Sequence, residues 1–174
     1  MAYTLDEFSG ASRAALKSKD LPKALDAIAD DLKKLLVDRE FVAETFAEPA
    51  AGGKRVLFHD PETDFYVQAH WQPAGEGGTP HSHGASWAIY GNAQGFTEMT
   101  EWRRVNAESE EHVVLEASDH YRLGPGQSRA YGPGVIHSTA HPQDAWVIRV
   151  TGTDLDSIPR YHFRAKRDKI LEKA

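Results

Sequence analysis

Three histidines are spaced as metal ligands are. His81 and His83 flank Ser82, and residues i and i+2 of a β-strand point to one face, so both imidazoles can meet one ion. His137 follows the turn Gly132-Pro133-Gly134, on a later β-rich run. The chain holds 9 histidines in 174 residues, well above ordinary usage, and imidazole is the commonest metal-binding side chain. Three neutral imidazoles leave the double positive charge of a divalent ion uncompensated. Such a site favours an anionic or enolised substrate that chelates the ion. Three ligands on one face also leave positions open for the substrate and for O₂ or water. Iron(II) is the expected ion. Zinc, nickel and manganese are the alternatives, because the donor set suits them too and affinity order does not favour iron.

Other groups are candidates by type and setting. Arg149 interrupts the apolar run Trp146–Thr151; it either faces solvent or anchors a carboxylate inside the fold. Tyr90 and Tyr131, with Trp71 and Trp87, read as core or pocket wall, and a tyrosine beside the ion can hold a proton. His141, four residues after His137, reads as a surface-loop residue, with a role close to the metal as the alternative. Glu98 and Glu101 follow the turn at Gly95 and read as solvent-facing, with a fourth metal ligand as the alternative. His70 is expected to be no ligand, and His59, His112, His120 and His162 to be surface or structural.

Positioning these residues falls to two kinds of element. Residues 1–48 read as helix. Asp20 precedes Pro22 at a helix start, and Leu21, Leu25, Ile28, Leu32 and Leu35/Leu36 recur at spacings of three and four, one apolar stripe. After Pro49-Ala50-Ala51-Gly52-Gly53, short β-rich runs alternate with Gly/Pro turns. They include Arg55–His59, Phe65–Gln72, His81–Tyr90, Gly95–Val105, His112–Ala117, Tyr121–Leu123, Ser128–Tyr131, Ile136–Ala140 and Trp146–Thr151. Many short strands at even spacing predict an all-β sandwich or barrel, here a jelly roll over 54–152 behind a helical arm, with 153–174 a C-terminal extension of the same domain. Residues 160–174 carry six Lys/Arg against two acids and read as a solvated terminal helix, or as a tail that meets an acidic partner surface.

Composition narrows the rest. No cysteine is present, which excludes disulfides, thiolate metal sites and a Cys nucleophile. A net charge of −6 argues against nucleic acid as a partner. No apolar run reaches the ~20 residues of a membrane span, and the first residues lack the charged and apolar regions of a signal peptide. A cytoplasmic protein, monomer or homodimer, acting on a small molecule is the expectation.

The histidine pattern resembles the cupin superfamily. Its first motif, G-x5-H-x-H-x3,4-E-x6-G, is matched by Gly75, His81, His83 and Gly95; its second is matched loosely by Gly134 and His137, with Pro133 displaced by one and His141 in place of the Asn. Ala88 stands where the first motif has its glutamate. That makes the site similar to the three-histidine kind found in cysteine dioxygenase and related thiol dioxygenases. The resemblance implies a double-stranded β-helix, iron(II), O₂ as co-substrate and dioxygenase activity. It also implies a carboxylate-gripping arginine at Arg55, 26 residues before His81, where a barrel-rim salt bridge is the alternative. One family feature is missing: the Ser-x-His-x-Tyr relay of the last strand is replaced by Val147, Arg149 and Thr151. Cysteine is therefore a poor substrate on this reading. A zinc, nickel or manganese hydrolase or isomerase, and a non-enzymatic ligand-binding cupin, are the other functions the sequence allows.

Overall fold

The computed structural model describes residues 3–75, 77–166 and 170–173, with side chains to residue 164. Three helices come first: α1 (Leu5–Ser18), α2 (Leu21–Val37) and α3 (Arg39–Thr45). Their ends are locally encoded. Thr4 and Glu7 form a capping box on α1, and the Asp20 side chain accepts from the Lys23 amide at the start of α2, with Pro22 in the first turn. The predicted stripe is buried at Leu25, Ile28, Leu32, Leu35 and Leu36, whereas Leu21 is 38% exposed at the helix start.

Eleven described strands follow: β1 (Lys54–His59), β2 (Tyr66–Gln72), β3 (His81–Ser82), β4 (Ala88–Gln94), β5 (Thr97–Arg104), β6 (Leu115–Leu123), β7 (Ser128–Tyr131), β8 (Ile136–Ala140), β9 (Ala145–Thr151), β10 (Tyr161–Lys166) and β11 (Ile170–Lys173). They form two antiparallel sheets, ordered β1-β2-β9-β4-β7 and β11-β10-β3-β8-β5-β6. No hydrogen-bonded strand pair joins the two sheets among the described residues. The predicted run His81–Tyr90 is divided: β3 ends at Ser82, and a turn separates it from β4. The basic tail is not the expected helix. Its described part forms strands, and β10 pairs with β3 through Tyr161↔Ser82 and His162↔His81.

The five-stranded sheet is covered on both faces. Phe65, Val67, Ala69, Ile89, Ile148 and Val150 join the α2 stripe in one apolar cluster on the helix side. Alternating with them, Ala88, Tyr90, Tyr131 and Val147 join Met99 and Leu123 between the sheets. Gly91 lets α2 approach, since a Cβ there would lie 2.6 Å from Leu36 Cδ1.

Asp60 ties α1 to the β1–β2 connection. It is fully buried, and its carboxylate accepts from Arg13 at 2.7 Å and from the Thr63 hydroxyl at 2.5 Å. Arg13 first, then Thr63, outweighs burial and lowers the carboxyl to about 2 from an ordinary 3.8. A depressed carboxyl contributes stability above its unfolded value and loses it as pH falls through the folded one. Arg13 is 32% exposed and also lies 3.4 Å from Glu62, so removing Asp60 strands no buried charge and costs about 1–3 kcal/mol, the worth of its charge-assisted hydrogen bonds. Asp60→Ala is therefore expected to lower the melting temperature by roughly 2–12 °C. The deficit relative to wild type should narrow as pH drops from about 4 toward 2; a constant deficit would remove the charge pair as its cause.

Candidate metal centre

His81, His83 and His137 offer nitrogen atoms that all lie within 4.8 Å of one another, and they are the one such group among the described residues. Strand pairing brings two of them together, because His81 on β3 stands opposite His137 on β8. His83 reaches the same point from the turn after β3. Gly84 makes that turn with φ +59, and a Cβ there would lie 2.6 Å from the Pro159 carbonyl oxygen, so a side chain at this position is both strained and blocked.

The donor atoms are presented correctly. His81 Nδ1 lies 3.1 Å from the Thr79 carbonyl, and His137 Nδ1 lies 3.4 Å from the Val135 carbonyl. A carbonyl only accepts, so both contacts place the proton on Nδ1 and leave the Nε2 lone pair for an ion. His137 is fully buried, and its Nε2 has no hydrogen-bond partner. An orphaned buried polar atom costs about 1–3 kcal/mol, and an ion would relieve that. Burial lowers His83 to about 2 and His137 to about 3, with the neighbouring histidines acting in the same direction, and burial lowers His81 too. All three imidazoles are thus neutral, the form that binds a metal. The residues fit a divalent ion held by three nitrogens.

The other expected residues divide. Arg149 on β9 faces the space between the sheets, opposite Tyr90 on one side and Gln68 on the other. Its Nη2 donates to Gln68 Oε1 at 3.1 Å, and its positive charge helps hold His81, His83 and His137 neutral. Tyr90 places its hydroxyl 3.3 Å from His83 Nε2. Tyr131 stacks on the His137 ring at 4.6 Å, but its hydroxyl is engaged by Tyr121 at 2.5 Å. Burial pushes both phenols above their ordinary range. Tyr131 is therefore a wall, and the Tyr90 hydroxyl is the one in contact with His83.

Arg55 is not brought to the histidines. It pairs with Ala69, which belongs to the helix-side cluster, and directly opposed residues share a face. Its guanidinium donates to the Thr45 carbonyl and lies 5.3 Å over the Trp71 ring, joining the end of α3 to the sheet. Glu98 is bound by Arg122 at 2.9 Å. Glu101 stands opposite His137, yet its carboxylate accepts from Tyr121 at 2.8 Å and Arg129 at 2.9 Å. Neither acid, nor His141, belongs to the ligand group.

Three neighbours escaped the sequence reading. Gln68, which the sequence does not single out, and His70, expected to be no ligand, alternate with Val67 and Ala69 along β2 and face inward, opposite Arg149 and Val147. His162, read as surface or structural, stacks on His81 at 5.4 Å through the β3–β10 pairing, which no local signal announced. A cleft of about 520 Å³ lies behind the ligand strands, lined by Ser82, Val113, Ile136, Pro159, Tyr161 and Phe163 among others. Ser82 and Ile136 alternate with His81 and His137, so that cleft opens on the opposite face of the sheet from the cluster.

No family model matches this chain, and no curated protein does. Among solved structures, it is similar to KdgF from Halomonas sp., at 19% identity and TM-score 0.45, over 64% of this chain and 91% of that one. A cupin-2 domain protein from Shewanella frigidimarina is similar at 12% identity and TM-score 0.47, over 63% of this chain and 89% of that one. A cupin superfamily protein from Desulfitobacterium hafniense gives 13% identity and TM-score 0.42, over 58% and 76%. At these scores the chemistry of the site rests on its own geometry. No described helix is long and apolar enough to cross a membrane.

Proposed function

We propose that this chain is a cupin-type non-haem iron(II) dioxygenase acting on a small anionic or chelating metabolite. The observation that carries the reading is the ligand group itself: three neutral imidazoles, His83 and His137 buried and His81 half-buried, with no carboxylate among them, beside a cation that points inward. His81, His83 and His137 hold the ion. When bound, iron(II) supplies electron transfer between a chelating substrate and O₂. The chain's own residues do the rest. Arg149 attracts and orients the negative end of the substrate. The Tyr90 hydroxyl holds a proton beside His83. Tyr131, Met99 and Val147, packed between the sheets, keep bulk water from that side.

The test is elemental analysis of protein purified without added metal, followed by oxygen-electrode assays. Iron with substrate-dependent O₂ uptake supports the proposal. Zinc, nickel or manganese without uptake would replace it with a hydrolase or isomerase, and the absence of any bound metal with a ligand-binding protein.

A further inference from the structure

Beside His137, the inner face of the five-stranded sheet carries three more buried polar atoms without partners: Arg149 Nε, His70 Nε2 and Asn92 Nδ2. The first two belong to one patch. Gln68 stands opposite Arg149, and His70 stands opposite Val147, two positions along the same pair of strands, so the imidazole is the diagonal neighbour of the guanidinium on one face. Gln68 takes one of the two Nη2 hydrogens, and the Nε–H beside it has no partner. His70 is only 7% exposed, and burial, then Arg149, holds it neutral, so it offers a hydrogen bond and no charge. No carboxylate pairs with Arg149 among the described residues. Asp156, which acts on this corner, is already engaged by Lys54 at 2.7 Å and Arg160 at 3.3 Å.

We infer that Arg149, Gln68 and His70 form a recognition subsite for a carboxylate, so that the substrate is a short two-headed acid. One head chelates the ion, and the other, a carboxylate, lies on the Nε edge of Arg149 with His70 donating to it. The inference rests on the metal-centre reading above. Packed sheets stand roughly 10 Å apart, and side chains enter that gap from both, so few bonds separate the two heads. A guanidinium edge binds a carboxylate through two parallel hydrogen bonds. The second donor from His70 is what separates this subsite from a lone cation.

Calorimetric titration of malonate, with acetate as the one-headed control, tests it on metal-free protein and on protein loaded with redox-silent zinc. Malonate should bind both forms, more tightly with zinc. Arg149→Met should weaken malonate about 10- to 100-fold and erase its advantage over acetate, with zinc content unchanged. Its melting temperature should hold or rise, since an unpaired inward cation is removed. Arg149→Lys, which keeps the charge and loses the fork, should also weaken malonate and serves if the Met variant does not fold. His70→Phe should weaken malonate several-fold, and His70→Gln, which restores a donor, should recover part of that loss. Equal malonate affinity in wild type and the Arg149 variants, or no effect of His70→Phe, would overturn the subsite. A protein that takes up no zinc yet still binds malonate through Arg149 would overturn the metal reading and leave the subsite standing.

Discussion

His137→Ala is expected to empty the proposed metal centre and to leave the two-sheet body folded. The imidazole is fully buried, it touches both other ligands at ring distances of 4.6 and 4.9 Å, and its Nε2 has no other partner. Structural zinc in four-ligand zinc-finger peptides is bound with about 10–16 kcal/mol, or about 2.5–4 kcal/mol per ligand. On that scale loss of one imidazole lowers affinity by about two to three powers of ten. The fold depends on different terms. The α2 stripe and the helix-side sheet residues form an apolar cluster that does not include the histidines, and each large side chain buried there contributes about 1.5–3 kcal/mol. Metal analysis after dialysis, paired with circular dichroism, checks both halves. His141→Ala is the control, since His141 lies outside the ligand group. Full metal retention by His137→Ala, with loss in His141→Ala, would identify the wrong third ligand.

Cysteine and 3-mercaptopropionate should be poor substrates, and 2-oxo or 1,3-dicarbonyl acids better ones. A thiol substrate calls for a group near the metal that takes up its proton. At the positions that resemble the relay of the thiol dioxygenases, Val147 is packed in the apolar cluster between the sheets, and the Thr151 hydroxyl already donates to the Thr153 carbonyl at 2.8 Å. Arg149 remains charged at any working pH and cannot shuttle protons as a histidine does. It can bind an anion. Oxygen-electrode assays of the iron-loaded protein with the two thiols and a panel of the acids should give uptake with the acids alone. Uptake with cysteine at about 1 per second or faster would refute this and show that the relay is dispensable.

Local signals carried part of this structure without help. Asp20 and Pro22 start α2 where their chemistry predicts, and Leu25, Ile28, Leu32 and Leu35 form its buried stripe because the 3.6-residue period is a property of the segment alone. The clustering of the three histidines was legible for a similar reason: residue type, the two-residue strand period and the flanking glycine turns pointed to His81, His83 and His137 as one group. What escaped was every feature set by a distant partner. The tail at 161–166 is a strand because it finds β3, 81 residues earlier in the pairing His162↔His81, and its charge pattern alone carries no trace of that neighbour.

The choice between Arg55 and Arg149 shows where sequence stops. Alternation along β1, β2 and β9 says that each strand has two unlike faces, and it was readable. In a sheet exposed on one side, that alternation would also say which face is inside. Here α2 covers one face and the second sheet covers the other, so both faces are buried and the pattern is symmetrical between them. Only the assembled register, Arg55 beside Ala69 under the helices and Arg149 between Gln68 and Tyr90 toward the histidines, decides which arginine faces the histidines. Sequence alone determined the helical arm, the β-rich body and the three imidazoles, since each is a matter of residue type and short-range period. Tertiary structure decided the polar lining around them, because a side chain's face is a property of the layers packed on either side of its strand.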